Sequence, residues 1–174
     1  RGLGDVYKRQ PEEIILVDEQ PPSLSLSGYL LTDGSVECRL EADEELTEMP
    51  ILIADGQVLQ VEVRGYYYVA HYRGNSGVSE ILAVARDRSD NLARTRLSLS
   101  IGDGASVLSP DGLLRVQGGE GTVLLYAVGA GYQVDIEPGS TAELVFQGGE
   151  KGQGLFRQTV SGWDEIPAKI DGDE

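Results

Sequence analysis

Residues 76–100 constrain the fold more than any other stretch, because they predict a hairpin that has to pack on other strands. Ile81, Ala83 and Ala85 occupy alternate positions and predict a buried face on the first strand. The polar residues 87–91 then predict a tight turn, since short Asp, Ser and Asn side chains bond nearby backbone N–H groups. An isolated hairpin is at best marginally stable in water, so the chain must supply further strands.

Those further strands are predicted on both sides of the hairpin. In the clearest example, Val36, Cys38 and Leu40 alternate with charged residues, which places Cys38 on the buried face. Short strand patterns separated by Gly, Pro and Asp-Gly turns recur along the chain, and no segment has a helical period. The sequence therefore predicts an all-β fold built as antiparallel β-sandwich modules.

Glycine and proline mark the predicted domain organisation. Gly102–Gly104 predicts a flexible seam between one module at residues 21–101 and a second all-β module at residues 105–174. Residues 11–20 end in an acidic stretch before two prolines that block a helix, so they predict a linker strand. Both modules lie near the lower end of normal domain size.

Residues 1–10 are expected to be an artefact of sequencing. Asp5–Gln10 back-translates to GAT GTG TAT AAG AGA CAG, which resembles the transposon end used in preparing sequencing libraries. Such segments are excluded from fold reasoning. We therefore expect the native N-terminus to differ from the one printed, as in a metagenomic fragment.

The charge and cysteine content limit the partners. The chain carries 14 Lys and Arg against 29 Asp and Glu, a net charge of −15. Such an acidic surface repels nucleic acid and anionic lipid, so neither is expected as a partner. The sequence contains no apolar run long enough to cross a membrane, so no membrane insertion is expected within it. A single cysteine allows no intrachain disulfide, which fits both a cytosolic protein and a bacterial exported one.

Four stretches of the first module carry a family resemblance. Val36–Glu45 (VECRLEADEE), Ile51–Val63, the aromatic strand Tyr66–Arg73 (YYYVAHYR) and Ile81–Ala93 (ILAVARDRSDNLA) together resemble the bacterial immunoglobulin-like (Ig-like) domains that repeat in large exported proteins. The closing hairpin of those domains reads A-x-D-x-x-G-N. Residues 85–91 match this motif, with Asp90 at the position where Gly usually stands. The resemblance covers residues 21–101 and implies an Ig-like β-sandwich.

The second module resembles small β-modules of bacterial surface proteins. The resemblance lies in Gly131–Gln147 (GYQVDIEPGSTAELVFQ) and in the ending Trp163–Pro167 (WDEIP). Further strands normally follow in those modules, so we expect a truncated C-terminus. Together the two resemblances imply a non-catalytic structural, spacer or adhesion function, outside the cell or at its surface. The implied partners are neighbouring domains, polysaccharide or another surface protein.

The closing turn is also a candidate calcium site. Asp87, Asp90 and Asn91 offer oxygen ligands, and the acidic bend at residues 43–45 could add more. The turn lacks the Asp-x-Asp-x-Asp-Gly spacing of a dedicated calcium loop. A plain turn is therefore the favoured interpretation, because turns select these residues without any ion.

Aromatic residues make the second candidate site. Tyr66, Tyr68 and Tyr72 would share one strand face, and together with Trp163 they could stack on sugar rings. This predicts, as the alternative function, a carbohydrate-binding accessory module of an extracellular enzyme. Core packing is the competing interpretation, because aromatic pairs are common inside β-sheets. Exposure of the three tyrosines on one face would favour sugar binding.

No enzyme activity is predicted. His71 is the single histidine, and it lies in an alternating strand pattern without a nucleophile motif such as G-x-S-x-G. A strand histidine on the solvent or half-buried face is the favoured interpretation. The glycine pairs Gly118-Gly119 and Gly148-Gly149 precede strands rather than helices, so they predict no phosphate-binding loop.

Overall fold

A computed structural model of the chain describes residues 18–147, 155–159 and 162–166, and all regular structure in these residues is β-strand. The predicted all-β class is confirmed, and the strand pairings are antiparallel. The strands are β1 (Leu24–Leu30), β2 (Val36–Ala42), β3 (Ile51–Ala54), β4 (Gln57–Val58), β5 (Val61–Arg64), β6 (Tyr67–Tyr72), β7 (Gly77–Arg86), β8 (Leu92–Asp103), β9 (Ser106–Leu108), β10 (Leu114–Gln117), β11 (Thr122–Val128), β12 (Gly131–Ile136), β13 (Glu143–Phe146), β14 (Leu155–Thr159) and β15 (Gly162–Ile166).

The chain divides into two compact units. Among the described residues, the first contains those up to Tyr29, Val36–Tyr72 and Glu80–Leu97, and the second contains Leu30–Ser35, Arg73–Ser79 and those from Ser98 onward. The division falls inside β8 rather than at the predicted seam.

Gly102–Gly104 is not the flexible seam that the sequence predicted. Gly102 lies within β8, and Gly104 lies in the turn before β9. A Cβ at Gly102 would lie 2.8 Å from a methyl carbon of Val107, and one at Gly104 would lie 2.7 Å from the carbonyl carbon of Gly119. These glycines therefore permit close packing within the second unit, and conformational freedom is not their role.

Two sets of paired strands form the first unit. β1, β2, β6 and β5 make a four-stranded sheet, with Val36 opposite Tyr72 and Leu40 opposite Tyr68. In the other set, β3 pairs with β4 and with β7, and Ile51 lies opposite Val84. Alternate side chains are buried in both sets, and Cys38 is buried as predicted. The buried residues at these alternating positions include Val36, Cys38, Leu40, Leu52, Ala54, Ile81, Ala83 and Ala85.

The second unit has its own apolar core. The end of β8 pairs with β11, which pairs in turn with β12, and β9, β10 and β13 form a three-stranded sheet. The core consists of Val107, Leu114, Val116, Val123 and Leu125. Each such side chain contributes roughly 1.5–3 kcal/mol when fully buried. β14 and β15 pair with each other.

In the part of the chain that the structure describes, no helix is long and apolar enough to cross a membrane. The predicted linker strand at residues 11–20 lies outside the described residues up to position 17. The expected adapter at residues 1–10 lies outside them entirely.

Candidate functional site

The closing turn, residues 87–91, is organised by the carboxylate of Asp87. This side chain is 1% exposed. Its Oδ1 accepts hydrogen bonds from the backbone N–H groups of Ser89 and Asn91, both at 2.8 Å. Its Oδ2 accepts a third bond from Nδ2 of Asn91 at 2.7 Å. The carboxylate thus replaces water for three donors of its own turn, as an aspartate turn is expected to do.

These three bonds decide the charge state of Asp87. Burial by itself would raise the pKa of this carboxyl. The hydrogen bonds from the side chain and backbone of Asn91 and from the backbone of Ser89 together outweigh burial, so the pKa of Asp87 lies below its ordinary value. The side chain is therefore ionised at neutral pH, and the turn holds its negative charge without an ion pair.

Asp90 explains how the motif works without glycine. Its φ angle is 68°, in the left-handed region that glycine favours and that Asp and Asn tolerate. Its carboxylate binds Arg86, with Nη1 and Oδ1 2.9 Å apart. Asp90 therefore faces Arg86 within the hairpin, and the structure does not place it beside the Asp87 carboxylate as a third ligand.

The acidic bend, residues 43–48, lies against the closing turn. Leu46 forms a β-bridge with Asp87, and the backbone N–H of Thr47 donates to the carbonyl of Arg86 at 2.9 Å. The hydroxyl of Thr47 also donates to the carbonyl oxygen of Asp87. An exposed ion pair joins Arg88 to Glu45 at 2.6 Å. The bend and the turn thus meet, as the candidate calcium site required.

The entry segment, residues 18–23, is bound to both. Nδ2 of Asn91 donates to the carbonyl oxygens of Asp18 and Gln20, at 3.0 and 3.1 Å. Ser23 exchanges two bonds with Asp43, since its N–H donates to the carboxylate at 2.7 Å and its carbonyl accepts from the Asp43 N–H at 3.2 Å. The chain that leads into β1 is therefore fixed to two loops from other parts of the same unit.

Three carboxylates converge where these pieces meet. Oxygens of Asp18, Glu44 and Asp87 lie within 4.8 Å of one another. Desolvation and the negative charges of Asp87, Asp18 and Asp43 raise the pKa of Glu44, as expected for crowded like charges. These three residues could hold a cation such as calcium, which takes about six to eight oxygen ligands in total.

Only part of the predicted calcium set is in this cluster. Asp87 is present and Glu44 comes from the predicted bend, but Asn91 directs its amide N–H groups at Asp87 and the entry segment. Three of the acceptor positions on Asp87 are already occupied by hydrogen bonds. Asp18 was missed because it lies far from the turn in sequence, and no local pattern connects the two.

The predicted aromatic set does not form one exposed surface. Tyr66 lies in the turn between β5 and β6 and is 82% exposed. Tyr68 is half-buried, and Tyr72 is buried with its hydroxyl donating to a carboxylate oxygen of Asp55. The side chain of Trp163 lies outside the described part of the structure. Strand alternation turns Tyr68 and Tyr72 inward, while Tyr66 precedes the strand. Ligand binding by any of these tyrosines stays a prediction.

An unpredicted charged cluster lies on the four-stranded sheet, on the face opposite to that of Tyr68 and Tyr72. Glu37 is only 5% exposed, and its oxygens bind Arg39 at 2.7 Å and Arg64 at 2.9 Å. The guanidinium of Arg39 also lies 4.3 Å from the ring centre of Tyr29 and 5.3 Å from that of Tyr67. This network joins side chains of β1, β2, β5 and β6.

The charges of this cluster also shift the pKa values of Glu37 and Cys38. Burial would raise the pKa of Glu37, but the hydrogen bond and charge of Arg39, followed by the charges of Arg64 and His71, lower it overall. His71 is exposed, with Nε2 3.9 Å from the Glu37 carboxylate. Burial, together with the negative charge of Glu37, raises the pKa of Cys38 to about 12, so this thiol is not a nucleophile at neutral pH.

Only the strand register could have revealed this cluster. Glu37 lies opposite His71, and Arg64 lies opposite Tyr67 on the next pair of strands.

Comparisons with protein-family models, with curated proteins and with solved structures found no match for this chain.

Proposed function

We propose that this chain is a non-catalytic structural, spacer or adhesion module of a larger bacterial protein that is secreted or displayed at the cell surface. Its first unit is proposed to be an Ig-like β-sandwich. The two sets of antiparallel strands, each with alternate side chains buried, support that assignment. The resemblance of the closing-hairpin motif supports it as well.

One observation carries the spacer function: the entry segment is fixed to the body of the first unit. Asn91 holds two main-chain carbonyls of that segment, and Asp43 holds Ser23. A chain that leaves a module through such bonds has a defined direction, whereas a free linker has none. A spacer needs this property, because tension on the chain reaches the module through these contacts first.

Mechanical unfolding tests this function. The full chain, placed between reference domains of known unfolding force, is stretched from its two ends in single-molecule experiments. We expect a resolved unfolding peak for the unaltered chain. Asn91→Ala is expected to lower the force of the first event, because it removes both bonds to the entry segment.

Asp90→Asn is the matched control. It changes the same turn and keeps a residue that tolerates the left-handed conformation, but it only neutralises the ion pair with Arg86. We expect its force curve to match that of the unaltered chain. Extension of the unaltered chain without a resolved peak would contradict the spacer function.

A second function, carbohydrate binding, is favoured by one exposed aromatic pair. The rings of Tyr66 and Tyr67 lie edge to face with centres 5.4 Å apart, and Tyr66 is largely accessible. Binding to a panel of soluble polysaccharides, with Tyr66→Ala as the test variant and Tyr72→Phe as the buried control, decides it. Loss of binding in Tyr66→Ala alone would support an accessory module, and no binding to any member of the panel would exclude these ligands.

A further inference from the structure

The second unit contains an open groove with a volume of about 400 Å³. Three segments line it: residues 76–78 at the start of β7, residues 100–103 at the end of β8, called the floor below, and residues 106–108 of β9. This volume lies toward the lower end of the range for ligand pockets, roughly 300–1,000 Å³. None of these residues belongs to the closing turn or to the set of tyrosines discussed above.

One wall of the groove is the open edge of a sheet. β9 is an edge strand of the sheet that it forms with β10 and β13. The Ser109 N–H donates to the carbonyl of Leu114 at 2.7 Å, so residue 109 directs its backbone groups toward β10. Hydrogen-bonding direction alternates along an antiparallel strand. The backbone groups of Val107 therefore also point toward β10, while those of Ser106 and Leu108 point outward, into the groove.

A second wall is the beginning of β7. The pairing between β3 and β7 spans Ile81 to Val84, which leaves Gly77 and Val78 outside that register. Val78 is 65% exposed and Leu108 is 41% exposed, so both walls present apolar side chains to solvent. The groove thus resembles the space that an additional strand would occupy.

The floor is largely buried. Ser100 is 2% exposed, and its hydroxyl oxygen has under 1 Å² of accessible surface, so a ligand in the groove does not reach it. At one end of the floor, the carboxylate of Asp103 adds negative charge.

We propose that this groove binds an extended peptide segment of another protein, which adds as a strand to the outer edge of β9. The backbone of the peptide pairs with Ser106 and Leu108, and its alternate apolar side chains cover Val78 and Leu108. A basic residue of the peptide lies near Asp103. Main-chain pairing supplies affinity in this mode of recognition, and the side-chain contacts supply specificity. The net charge of −15 also favours basic peptides.

A random library of displayed seven-residue peptides, selected on the full chain, provides the probe. Enriched peptides are expected to alternate apolar and polar residues and to carry Lys or Arg. Synthetic copies are then titrated against the unaltered chain, Leu108→Pro and Leu108→Ala. Leu108→Pro removes the outward N–H and is expected to weaken binding about tenfold, because one backbone hydrogen bond is lost. Leu108→Ala keeps the N–H and should bind within about threefold of the unaltered chain.

One further measurement keeps the test independent of how well the proline variant folds. N-methylation of the peptide at alternate residues should abolish binding, while N-methylation at the intervening residues should not. The proposal is overturned if no peptide is enriched, if enriched peptides bind Leu108→Pro as tightly as the unaltered chain, or if they tolerate methylation at every position.

Discussion

Two aspartate-centred turns, one in each unit, show how burial changes the role of a similar motif. Asp87 is buried and serves donors within its turn, and Asn91 of that turn reaches the entry segment. Asp111, in the turn between β9 and β10, is exposed. It accepts bonds from the hydroxyls of Ser109 and Tyr132, at 2.5 and 2.6 Å, and from the N–H of Leu113 at 3.0 Å. The sequence pattern identifies both turns, but it does not show which one organises distant segments.

The electrostatic causes differ as well. Hydrogen bonds from Ser109, Tyr132 and the Leu113 backbone lower the pKa of Asp111, with little desolvation to oppose them. At Asp87 the corresponding bonds must first outweigh burial. Loss of the carboxylate should therefore be more damaging at position 87, where buried donors would lose both their partner and access to water.

The largest expected effect is a difference in thermal stability between variants of the two turns. Asp87→Ala is expected to lower the melting temperature by about 10 °C, and Asp111→Ala by about 3 °C. Thermal unfolding followed by circular dichroism measures both. Asp87→Asn should fall between them, because it keeps one acceptor oxygen but places an NH₂ group against Asn91. Equal shifts for the two alanine variants would break the comparison.

The pH dependence of stability should reflect both carboxyls. Each has a folded-state pKa below its ordinary value of 3.8, so each stabilises the fold fully above that value and loses its contribution as pH falls through the folded-state pKa. Melting temperature measured from pH 7 to pH 2 should therefore drop steeply below about pH 4. Asp87→Asn and Asp111→Asn should each have a shallower drop. A profile with unchanged slope in both variants would show that neither pKa is lowered.

Two tyrosine hydroxyls extend the comparison to smaller effects. Tyr72 in the first unit is buried and donates to Asp55, whereas Tyr132 in the second is half-buried and donates to Asp111. Removal of either hydroxyl costs about 1 kcal/mol, with the larger cost at the buried site. Urea unfolding of Tyr72→Phe and Tyr132→Phe measures the difference. A larger loss for Tyr132→Phe would show that burial does not rank these bonds.

The smallest expected effect concerns calcium. Hydrogen bonds occupy three acceptor positions of Asp87, so we expect one millimolar calcium to raise the melting temperature by only about 1 °C. Glu44→Gln in EDTA should raise it slightly, because it removes the Glu44 charge from a group of crowded carboxylates that includes Asp18 and Asp87. A large calcium shift that Glu44→Gln abolishes and Asp90→Asn leaves intact would make the cluster a metal site and not a purely structural turn.

The sequence predicted the class of fold better than the pairing of its strands. The alternation around Cys38 and the hairpin at residues 87–91 were visible because both are local. The stretch Val58–Val63 has the composition of a single strand, but it is divided between β4, which pairs with β3, and β5, which pairs with β6. Strand propensity identifies extended backbone without its partner, so a change of sheet at residues 59 and 60 leaves no local signal.

The sequence predicted only those residues of the candidate site that lie close together along the chain. Asp87 follows from its turn, but the positions of Asp18 and of the Glu37 cluster depend on register between distant strands. The side chains of Asp90 and Asn91 are similar to that of Asp87, yet Asp90 contacts Arg86 and Asn91 contacts the entry segment. Backbone conformation decides between these directions, and side-chain type alone does not.

Backbone order parameters for residues 18–23, measured by ¹⁵N relaxation, test most directly whether the closing turn holds the entry segment. For the unaltered chain and for Asp90→Asn we expect values of about 0.85, as in rigid backbone. For Asn91→Ala we expect the values at residues 18–20 to fall below about 0.6, because the amide that binds two of their carbonyls is gone. Low values in the unaltered chain, or unchanged values in Asn91→Ala, would contradict the account.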